Sequence, residues 1–294
     1  MLKNKSRLFV FAIALVAIFL WASALLPGHK TLNVTFLDVG EGLCVVVQTP
    51  SGKIVAMDCG TSGRRDNTSI GQNLTARYLQ QLGADSIDVA ILSHPHADHI
   101  SGYATLLDAK PAKMVLDIGV HDRTPYYKAF LRSVRKCRAH YRIAKRGQSI
   151  DMGDGVILQI LSPSPDVTYS NLNERSMVTR IVFKHTSILL TGDADREAEE
   201  DLLKSGNSLC AQVLQVGHHG SETSTSTQWL ASVRPQVAII SCGRRNRYRH
   251  PSPSTLMRLN SSGCKVYRTD RNGAVVVTTD GSTISIRSFR QNTR

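Results

Sequence analysis

Short apolar runs recur from residue 31 to the end of the chain, and stretches with a helical spacing of apolar positions separate many of them. The runs predict strands at residues 33–37, 43–48, 53–57, 87–92, 113–117, 156–161, 178–183, 187–190, 211–216, 236–240, 265–267, 274–278 and 283–286. Helical spacing predicts helices near residues 74–82, 127–134, 197–203, 227–233 and 253–259. This interleaving favours an α/β fold with helix-covered sheets over a helical bundle or an all-β sandwich. Without an evident linker, we expect one domain over residues 31–290.

The beginning of the chain has a different pattern. Basic residues precede an apolar run over residues 8–26, which Pro27 ends. The run is close to the roughly 20 residues that cross a bilayer, and an A-x-A pattern at residues 22–24 is typical of signal-peptidase cleavage. We therefore predict that residues 1–27 form a membrane anchor or a signal peptide, and the length favours the anchor. Both alternatives place the rest of the chain outside the cytoplasm.

Composition narrows the class of protein. The chain has 294 residues, 41% of them hydrophobic, and 36 lysines and arginines against 23 acidic residues give a formal net charge of +13. This length and hydrophobic content exclude a disordered, collagen-like or disulfide-framework protein. The basic excess predicts a surface that attracts polyanions, either nucleic acid or anionic lipid. Charge alone does not specify a function, because its attraction to phosphate is not sequence-specific.

The cysteines argue against a redox or zinc-ribbon protein. All six lie in the body of the chain, and no two form a C-x-x-C pair. An even number would permit three disulfides outside the cell. Cys44 and Cys242, however, lie in apolar runs where a buried free thiol is ordinary. We expect buried thiols.

The most specific chemical motif is SHPHADH at residues 93–99, directly after the predicted strand 87–92. Its residues of metal-ligand type are His94, His96, Asp98 and His99. They lie on a turn at the carboxyl end of a strand, and imidazole nitrogens and carboxylates bind zinc-like divalent ions. The first two histidines can point to one ion while the aspartate and the last histidine point to a second. Two ions can clamp a phosphodiester, and water bound to them ionises near neutral pH.

Two further strand ends carry residues of the same chemical type. Asp193 follows the predicted strand 187–190 in a Gly-Asp turn, and His218 and His219 follow the strand 211–216 between two glycines. A Gly-Asp turn alone is uninformative, because it is an ordinary turn sequence. The paired histidines are more specific, since the flanking glycines let the backbone approach a bound ion or phosphate.

Two clusters of basic residues are candidates for binding phosphate. The first contains no acid, and its members are Lys128, Arg132, Arg135, Lys136, Arg138, Arg142, Lys145 and Arg146. A solvated face explains it as well as a track for a phosphate backbone does. In the second, arginines surround a tyrosine just before His250; Arg244, Arg245, Arg247, Tyr248 and Arg249 are its members. Guanidinium groups match phosphate oxygens and tyrosine stacks on bases, so we expect substrate to contact Arg245, Arg247, Tyr248 and Arg249.

These motifs together resemble the metallo-β-lactamase fold, and within it the hydrolase domain of ComEC-type competence DNA-uptake proteins and their free-standing relatives. The matching segments follow the family's order at residues 36–42, 57–60, 93–102, 173–178, 189–193, 217–221, 223–224, 243, 246–251, 269–270 and 273. The resemblance covers nearly the whole body of the chain. The combination is specific, although the single segments are not.

The resemblance implies an αββα four-layer sandwich with two divalent metal ions, zinc or manganese, at one sheet edge. It assigns His94 and His96 to one ion, Asp98 and His99 to the other, and Asp193 to a bridging position. The residues expected to act in catalysis are Asp98, Asp193 and His250.

The resemblance leaves other assignments open. Either His218 or His219 would complete the ligand set. Asp58 would lie beneath the metals and accept a hydrogen bond from a ligand histidine, although a strand-end carboxylate without that task is an equal alternative. Asp38 is the weaker candidate for the same role.

Two departures from the family pattern affect the expected site. Many small-molecule hydrolases of this fold carry another ligand histidine in a Gly-His-Thr-like turn, but here that interval holds only His121, His140 and His185, which we interpret as structural or surface residues. The first ion would then lack a protein ligand, be held loosely or exchange for manganese. Glu41 also replaces the more common glutamine of the family, which leaves the role of its carboxylate open.

We therefore expect an exported hydrolase that cleaves phosphodiester bonds in DNA through a metal-bound hydroxide, related to competence. One alternative is a small-molecule metallohydrolase that acts on a lactam, lactone or thioester. Another is a non-catalytic DNA-binding module at the membrane. The expected partners are DNA, the membrane through the N-terminal segment, and a separate membrane channel for DNA uptake.

Overall fold

The computed structural model describes residues 31–61, 68–120, 122–244 and 246–290. Within these residues the strands are β1 (Leu32–Phe36), β2 (Val45–Gln48), β3 (Ile54–Met57), β4 (Ile87–Ile91), β5 (Ala112–Asp117), β6 (His140–Ile143), β7 (Ser149–Gly153), β8 (Val156–Ser162), β9 (Val178–Phe183), β10 (Thr186–Leu190), β11 (Val213–Gln215), β12 (Val237–Ile240), β13 (Lys265–Arg268), β14 (Ala274–Thr279) and β15 (Ile284–Phe289). The helices are α1 (Thr68–Gln81), α2 (Ala97–Ile100), α3 (Tyr103–Ala109), α4 (Pro125–Lys136), α5 (Arg196–Lys204), α6 (Thr227–Val233), α7 (Pro253–Ser261) and α8 (Thr269–Asn272). A 3₁₀ turn covers Gly217–Gly220.

The strands form two mixed sheets. The order in the eight-stranded sheet is β15-β14-β1-β2-β3-β4-β5-β6, and the order in the seven-stranded sheet is β13-β12-β11-β10-β9-β8-β7. Four neighbouring strands are parallel in each sheet, β3 to β6 in the first and β10 to β13 in the second. Helices on the outer faces provide the crossovers that parallel strands need.

Successive side chains of a strand point to opposite faces of its sheet. The core therefore has three layers, one between the two sheets and one on the outer face of each sheet. Leu32, Val34 and Phe36 of β1 face the other sheet and pack in the cluster between the two sheets. A second cluster packs α1, α3 and α4 on the outer face of the eight-stranded sheet. A third packs α5, α6 and α7 on the outer face of the seven-stranded sheet. The expected α/β architecture with two helix-covered sheets is confirmed.

Each predicted strand is present, with its ends shifted by up to a few residues, but β6 and β7 were not predicted. Both are edge strands. All four residues of β6 are exposed, and β7 buries only Met152. An edge strand that buries little surface does not need the apolar alternation by which strands are recognised. The helices α2 and α8 have only four residues each, which is too short for a helical spacing of apolar positions to show.

The thiols and the N-terminal prediction have different outcomes. All six cysteines are free thiols; four of them are buried, as predicted, and Cys137 and Cys210 are half-buried. In the part of the chain that the structure describes, no helix combines the length and apolar character needed to cross a bilayer. The predicted anchor or signal peptide at residues 1–27 lies outside the described residues.

Candidate metal centre

The ligand-type side chains meet because the carboxyl ends of the parallel strands lie at one edge of each sheet. The chain leaves β3 into Asp58 and β4 into the turn at residues 93–99. In the other sheet it leaves β10 into Asp193 and β11 into the His218–His219 pair. Ligand-type residues from both sheets therefore face each other across the end of the sandwich.

The turn at residues 93–99 is held from below by neighbouring backbone. Asp98 and His99 lie on α2, whose N-cap is His96. The Cys59 amide donates to the His99 carbonyl over 2.8 Å. A Cβ atom on Gly60 would lie 2.2 Å from the carbonyl carbon of Asp98. Only glycine at position 60 permits this approach. The MDCG segment at residues 57–60 therefore holds the turn at residues 93–99 in place by close backbone contact.

Four side chains form what we call the inner group: Asp98, His99, Asp193 and His219. Their ligand atoms all lie within 4.8 Å of one another. His99 Nε2 is 3.1 Å from Asp193 Oδ1, and His219 Nε2 is 3.6 Å from the same oxygen and 3.4 Å from Asp98 Oδ2. His99, Asp193 and His219 are buried, and Asp98 is partly buried.

The donor atoms of the inner group fit a divalent cation. His99 Nε2, Asp193 Oδ1 and His219 Nε2 are buried and have no hydrogen-bond partner among the described residues. Leaving a buried polar atom unpaired costs about 1–3 kcal/mol, and three such atoms converge here. Imidazole nitrogen and carboxylate oxygen are ligands that zinc-like ions accept. A cation bound between them would satisfy all three atoms at once.

His94 and His218 face the second oxygen of Asp193, and His96 lies beside His94; we call these three histidines the outer group. His94 Nε2 lies 3.0 Å from His96 Nδ1. His94 Nε2 and His218 Nε2 each lie 3.9 Å from Asp193 Oδ2. Asp193 thus presents one carboxylate oxygen to each group.

The two adjacent histidines belong to different groups. His218 and His219 have positive φ angles of 45° and 54°, in the left-handed region that non-glycine residues seldom adopt. Two successive left-handed residues separate the rings, whose centroids are 6.3 Å apart. The sequence leaves open which histidine completes the site, whereas the structure places His219 in the inner group and His218 in the outer group.

Each of these histidines is oriented through its other nitrogen. His219 Nδ1 contacts the Ser241 carbonyl oxygen at 2.9 Å, and His218 Nδ1 contacts Asp195 Oδ2 at 2.9 Å. Fixing one nitrogen in this way leaves the other free to act as a metal ligand. Asp195 was not predicted as a site residue, although its place two residues after Asp193 is a usable signal in the sequence.

Asp58 and Asp38, the two carboxylates that could orient a ligand histidine, differ in their surroundings. Asp58 is buried, and its Oδ2 lies 2.7 Å from His99 Nδ1 and accepts the Ser93 hydroxyl at 2.6 Å. Asp38 forms no hydrogen bond to a histidine of either group in the described part of the chain. Its charged neighbours are Arg244 and Asp270. The geometry expected of a supporting carboxylate is therefore seen at Asp58.

Electrostatics make the inner group attractive to cations. Burial alone would lower the pKa of His99, but Asp193 and Asp58 outweigh it and raise that pKa well above its usual value. His219 shows the same balance, with Asp193 and Asp98 raising its pKa to about 9. Burial tends to raise the pKa of Asp193, yet the neighbouring histidines hold it well below its usual value. The carboxylates thus favour positive charge at this position.

His94 has the opposite electrostatic balance. Burial, followed by repulsion from His99, lowers its pKa well below the usual value for histidine. A neutral imidazole is the form that binds a metal ion. Its Nδ1 lies 3.1 Å from the Ser93 hydroxyl and 3.3 Å from the Ser176 hydroxyl, which fix the ring.

A cleft of about 360 Å³ opens over both groups. Its lining residues are His96, Ala97, Asp98, Asn173, Asp193, His218, His219, Arg247, Tyr248 and His250. Asn173, which the sequence analysis did not assign, lies with its Nδ2 3.2 Å from His218 Nε2. The cleft gives solvent and substrate a route to both donor groups.

The rim of the cleft carries three of the predicted substrate-binding or catalytic residues. Arg247 is exposed, and Tyr248 is 53% exposed and stacks on His250 with 5.8 Å between ring centroids. Burial and the nearby histidines lower the pKa of His250 to about 4, so the ring is neutral at physiological pH. Arg249 is exposed but does not line the cleft. Arg245 lies outside the described residues.

Two of the remaining histidines lie away from the candidate metal centre. His140 and His185 are exposed on the surface, in agreement with the prediction that they are not ligands. His121 lies outside the described residues. Glu41, whose role the sequence left open, approaches the inner group: its charged neighbours include Arg247, Asp98 and His219. Its Oε1 is buried and has no hydrogen-bond partner in the part of the chain that the structure describes.

Comparison with known proteins agrees with this geometry. Residues 37–244 match the Metallo-beta-lactamase superfamily. The chain belongs to this superfamily. The predicted resemblance to this fold is confirmed, and competence proteins are among the relatives.

Curated relatives include three long bacterial proteins. The chain is 30% identical over 254 residues to ComE operon protein 3 of Bacillus subtilis (83% of this chain, 32% of that protein). It is 33% identical over 266 residues to Competence protein ComA of Neisseria gonorrhoeae (87% and 35%). It is 35% identical over 247 residues to Recombination protein 2 of Haemophilus influenzae (84% and 29%). The chain spans about a third of the length of these relatives.

Solved structures of low sequence identity share the metallo-β-lactamase fold. CmlA, a diiron β-hydroxylase from Streptomyces venezuelae, aligns with a TM-score of 0.52 at 13% identity (80% of this chain, 52% of that chain). Zn(2+)-bound PqqB from Methylobacterium extorquens aligns with a TM-score of 0.51 at 13% identity (80% and 97%). At this identity the likeness shows the fold and not the activity.

Proposed function

We propose that this chain is a metal-dependent phosphodiesterase that cleaves DNA and holds two divalent ions. The observation that carries the proposal is the position of Asp193, which presents one carboxylate oxygen to the inner group and the other to the outer group. A bridging carboxylate between two sets of histidine ligands suits two ions that share one substrate phosphate. Divalent ions in such a site polarise a phosphoryl oxygen and lower the pKa of water to supply a nucleophile.

The donor groups divide the ligands between the two ions. In this proposal Asp98, His99 and His219 hold the inner ion, His94, His96 and His218 hold the outer ion, and Asp193 bridges. His218 then takes the place of the ligand histidine that the interval between the motifs lacks. Of the two solved structures that share this fold, CmlA is a diiron protein and PqqB is Zn(2+)-bound. For this chain we propose zinc or manganese.

The chain's own residues prepare the site for a phosphodiester. Asp58 keeps the His99 ring in one orientation, and Asp195 does the same for His218. His250 lines the cleft, where burial and the nearby histidines keep its ring neutral, and in this proposal it contacts the substrate phosphate. Arg247 pairs with a substrate phosphate and Tyr248 stacks on a base.

Three observations support DNA as the substrate. The matched relatives include a competence protein and a recombination protein. The chain has a net charge of +13. An exposed arginine and tyrosine flank the cleft directly over the donor groups. We propose that the protein acts in competence-related DNA handling together with a separate membrane DNA-uptake channel.

The location of the protein is a separate proposal. We infer from the apolar run at residues 8–26 that the domain over residues 31–290 acts outside the cytoplasm, tethered by that run or released after its cleavage. Protease added to intact spheroplasts should digest the domain. Protection until the membrane is opened would contradict this location.

Hydrolysis of single- and double-stranded DNA tests the proposed activity. The full chain should cleave labelled DNA with added manganese or zinc, lose this activity with a chelator, and weaken steeply as salt rises. The matched variant Arg287→Ala, an exposed arginine on the distant edge strand β15, should behave as wild type. If DNA stays intact while lactam, lactone or thioester substrates are hydrolysed, the small-molecule alternative is correct. Metal-free protein that binds DNA without cleavage would instead favour a tethering module.

A further inference from the structure

An open aromatic pocket lies at the opposite edge of the eight-stranded sheet from β15. All four residues of the edge strand β6 are exposed, including Tyr141 (36%) and Ile143 (49%). Beside it lies a pocket of about 490 Å³ between α4 and β6. On the helix side, Tyr127, Leu131 and Arg135 follow one another at four-residue intervals and therefore share one face. We call this feature the α4–β6 pocket.

The Tyr141 ring at this pocket is held rigidly. Its hydroxyl donates to Asp117 Oδ2 over 2.6 Å, and the Tyr127 hydroxyl donates to the same oxygen over 2.6 Å. Asp117 is fully buried at the end of β5. A ring anchored by its hydroxyl and exposed elsewhere offers a flat surface with little rotational freedom to lose. This is the property of a stacking platform.

The surroundings of the pocket carry positive charge. The sequence has no acid from residue 123 to residue 150. In the described part of the chain, Lys136 pairs with Asp108 and Arg146 pairs with Asp201. Arg135 and Arg138 are exposed, line the pocket and form no ion pair there. Their charge is therefore available to an anionic ligand.

The pocket and the cleft both lie near the carboxyl ends of strands in the eight-stranded sheet. The metal-type turn follows the carboxyl end of β4, and Ile143 at the carboxyl end of β6 lines the pocket. The two strands run parallel with β5 between them. Neighbouring strands are about 4.8 Å apart, so the two strand ends are separated by roughly 10 Å within the sheet. The pocket therefore lies near the edge of the sheet at which the cleft opens.

We propose that the α4–β6 pocket binds single-stranded DNA, with a base stacked on Tyr141 and backbone phosphates paired with Arg135 and Arg138. Unstacked bases are available in single strands and not in a duplex. An anionic membrane surface would be attracted by the arginines, but it has no planar group for a concave aromatic pocket. The inference takes from the proposed function only that DNA is the polyanion concerned, and it needs no cleavage.

Fluorescence anisotropy with a labelled oligothymidylate, in the presence of chelator and across a salt series, tests this proposal on the full chain. Tyr141→Ala should weaken binding roughly five- to 150-fold, the range for loss of one base–aromatic stack. Tyr141→Phe keeps the ring and should recover most of that loss. Arg135→Ala combined with Arg138→Ala should reduce the slope of log affinity against log salt by about 1.4, since each phosphate contact contributes about 0.7 for single strands.

The opposite edge of the same sheet supplies matched controls. Phe289 is exposed on β15 and Arg287 is exposed beside it, and alanine at either position should leave oligothymidylate affinity within about twofold. Equal affinity in wild type, Tyr141→Ala and the double arginine variant would overturn the proposal. So would loss of binding to phosphatidylserine vesicles in these variants with oligothymidylate binding unchanged, because the pocket would then face a membrane. Because chelator is present throughout, neither result depends on whether the protein cleaves DNA.

Discussion

The inner group and the rim of the cleft differ in how firmly the fold holds them. His99, Asp193 and His219 are buried at the ends of strands or on their turns, and hydrogen bonds to the Asp58 carboxylate and the Ser241 carbonyl fix the two histidine rings. At the rim, Arg247 and Tyr248 project into solvent. The buried side chains are fixed by hydrogen bonds within the fold, whereas in the described part of the chain Arg247 and Tyr248 contact only each other and the neighbouring His250 ring at the surface. Substitutions in the first region should therefore remove metal and turnover, and those at the rim should weaken substrate binding.

The largest effect is expected for Asp193→Asn. The amide keeps the volume but removes the charge that both donor groups share, so we predict a loss of turnover on the order of 10³-fold or more. Metal content and kcat on DNA would be measured together. Circular dichroism confirms that the variant is folded. Wild-type turnover in this variant would contradict a shared bridging carboxylate.

The adjacent histidines allow the two donor groups to be separated. His219→Ala should remove the ion of the inner group, and His218→Ala should weaken only the ion of the outer group. Because the two rings face different oxygens of Asp193, isothermal titration with manganese should show one of two binding events lost in each variant. Loss of the same event in both variants would show that the histidines serve a single ion.

A smaller effect is expected at Asp58, which touches a proposed ligand and not the ions. Asp58→Asn should weaken metal affinity about 10- to 100-fold, the usual range for a residue that orients a ligand histidine. Asparagine tolerates the positive φ of 58° at this position. Asp38→Asn is the matched control, because Asp38 lies beside Arg244 and Asp270 instead. Equal metal affinities in the two variants would remove Asp58 from the account.

The smallest effect is expected at the rim. Arg247→Ala should raise KM for DNA several-fold while kcat changes little, because an exposed phosphate contact binds ground state and transition state alike. The salt slope should fall by about 0.7–0.9, the contribution of one phosphate contact. A fall in kcat with KM unchanged would place Arg247 in the chemistry and would break the distinction between the two regions.

The parts of the molecule that follow a simple structural rule could be predicted from the sequence. Strand-end residues such as His94, Asp193 and His219 could be brought together in advance, because parallel strands end at one sheet edge. The division between His218 and His219 could not, since it depends on two successive left-handed backbone conformations that the residue types do not announce. The edge strand β6 escaped prediction because it buries no side chain, and the pocket beside it was therefore invisible from the sequence.

The supporting residues show the same limit. From the sequence, a supporting role for Asp58 and no such role were equal alternatives, and its contact with His99 at 2.7 Å favours the supporting role. Asp195 and Asn173 contact His218 from different loops, and although Asp195 lies near Asp193 in the sequence, nothing in the sequence links either residue to His218. Long-range contacts of this kind follow from the packing of the two sheets and not from local pattern.

The central claim is a site for two ions that turns over DNA. Metal-free protein should be titrated with manganese while bound metal and cleavage of labelled DNA are followed in the same samples. The account predicts two ions per chain and activity that appears as they bind, with both lost in Asp193→Asn. Two bound ions with DNA left intact, or cleavage that persists with chelator, would contradict it.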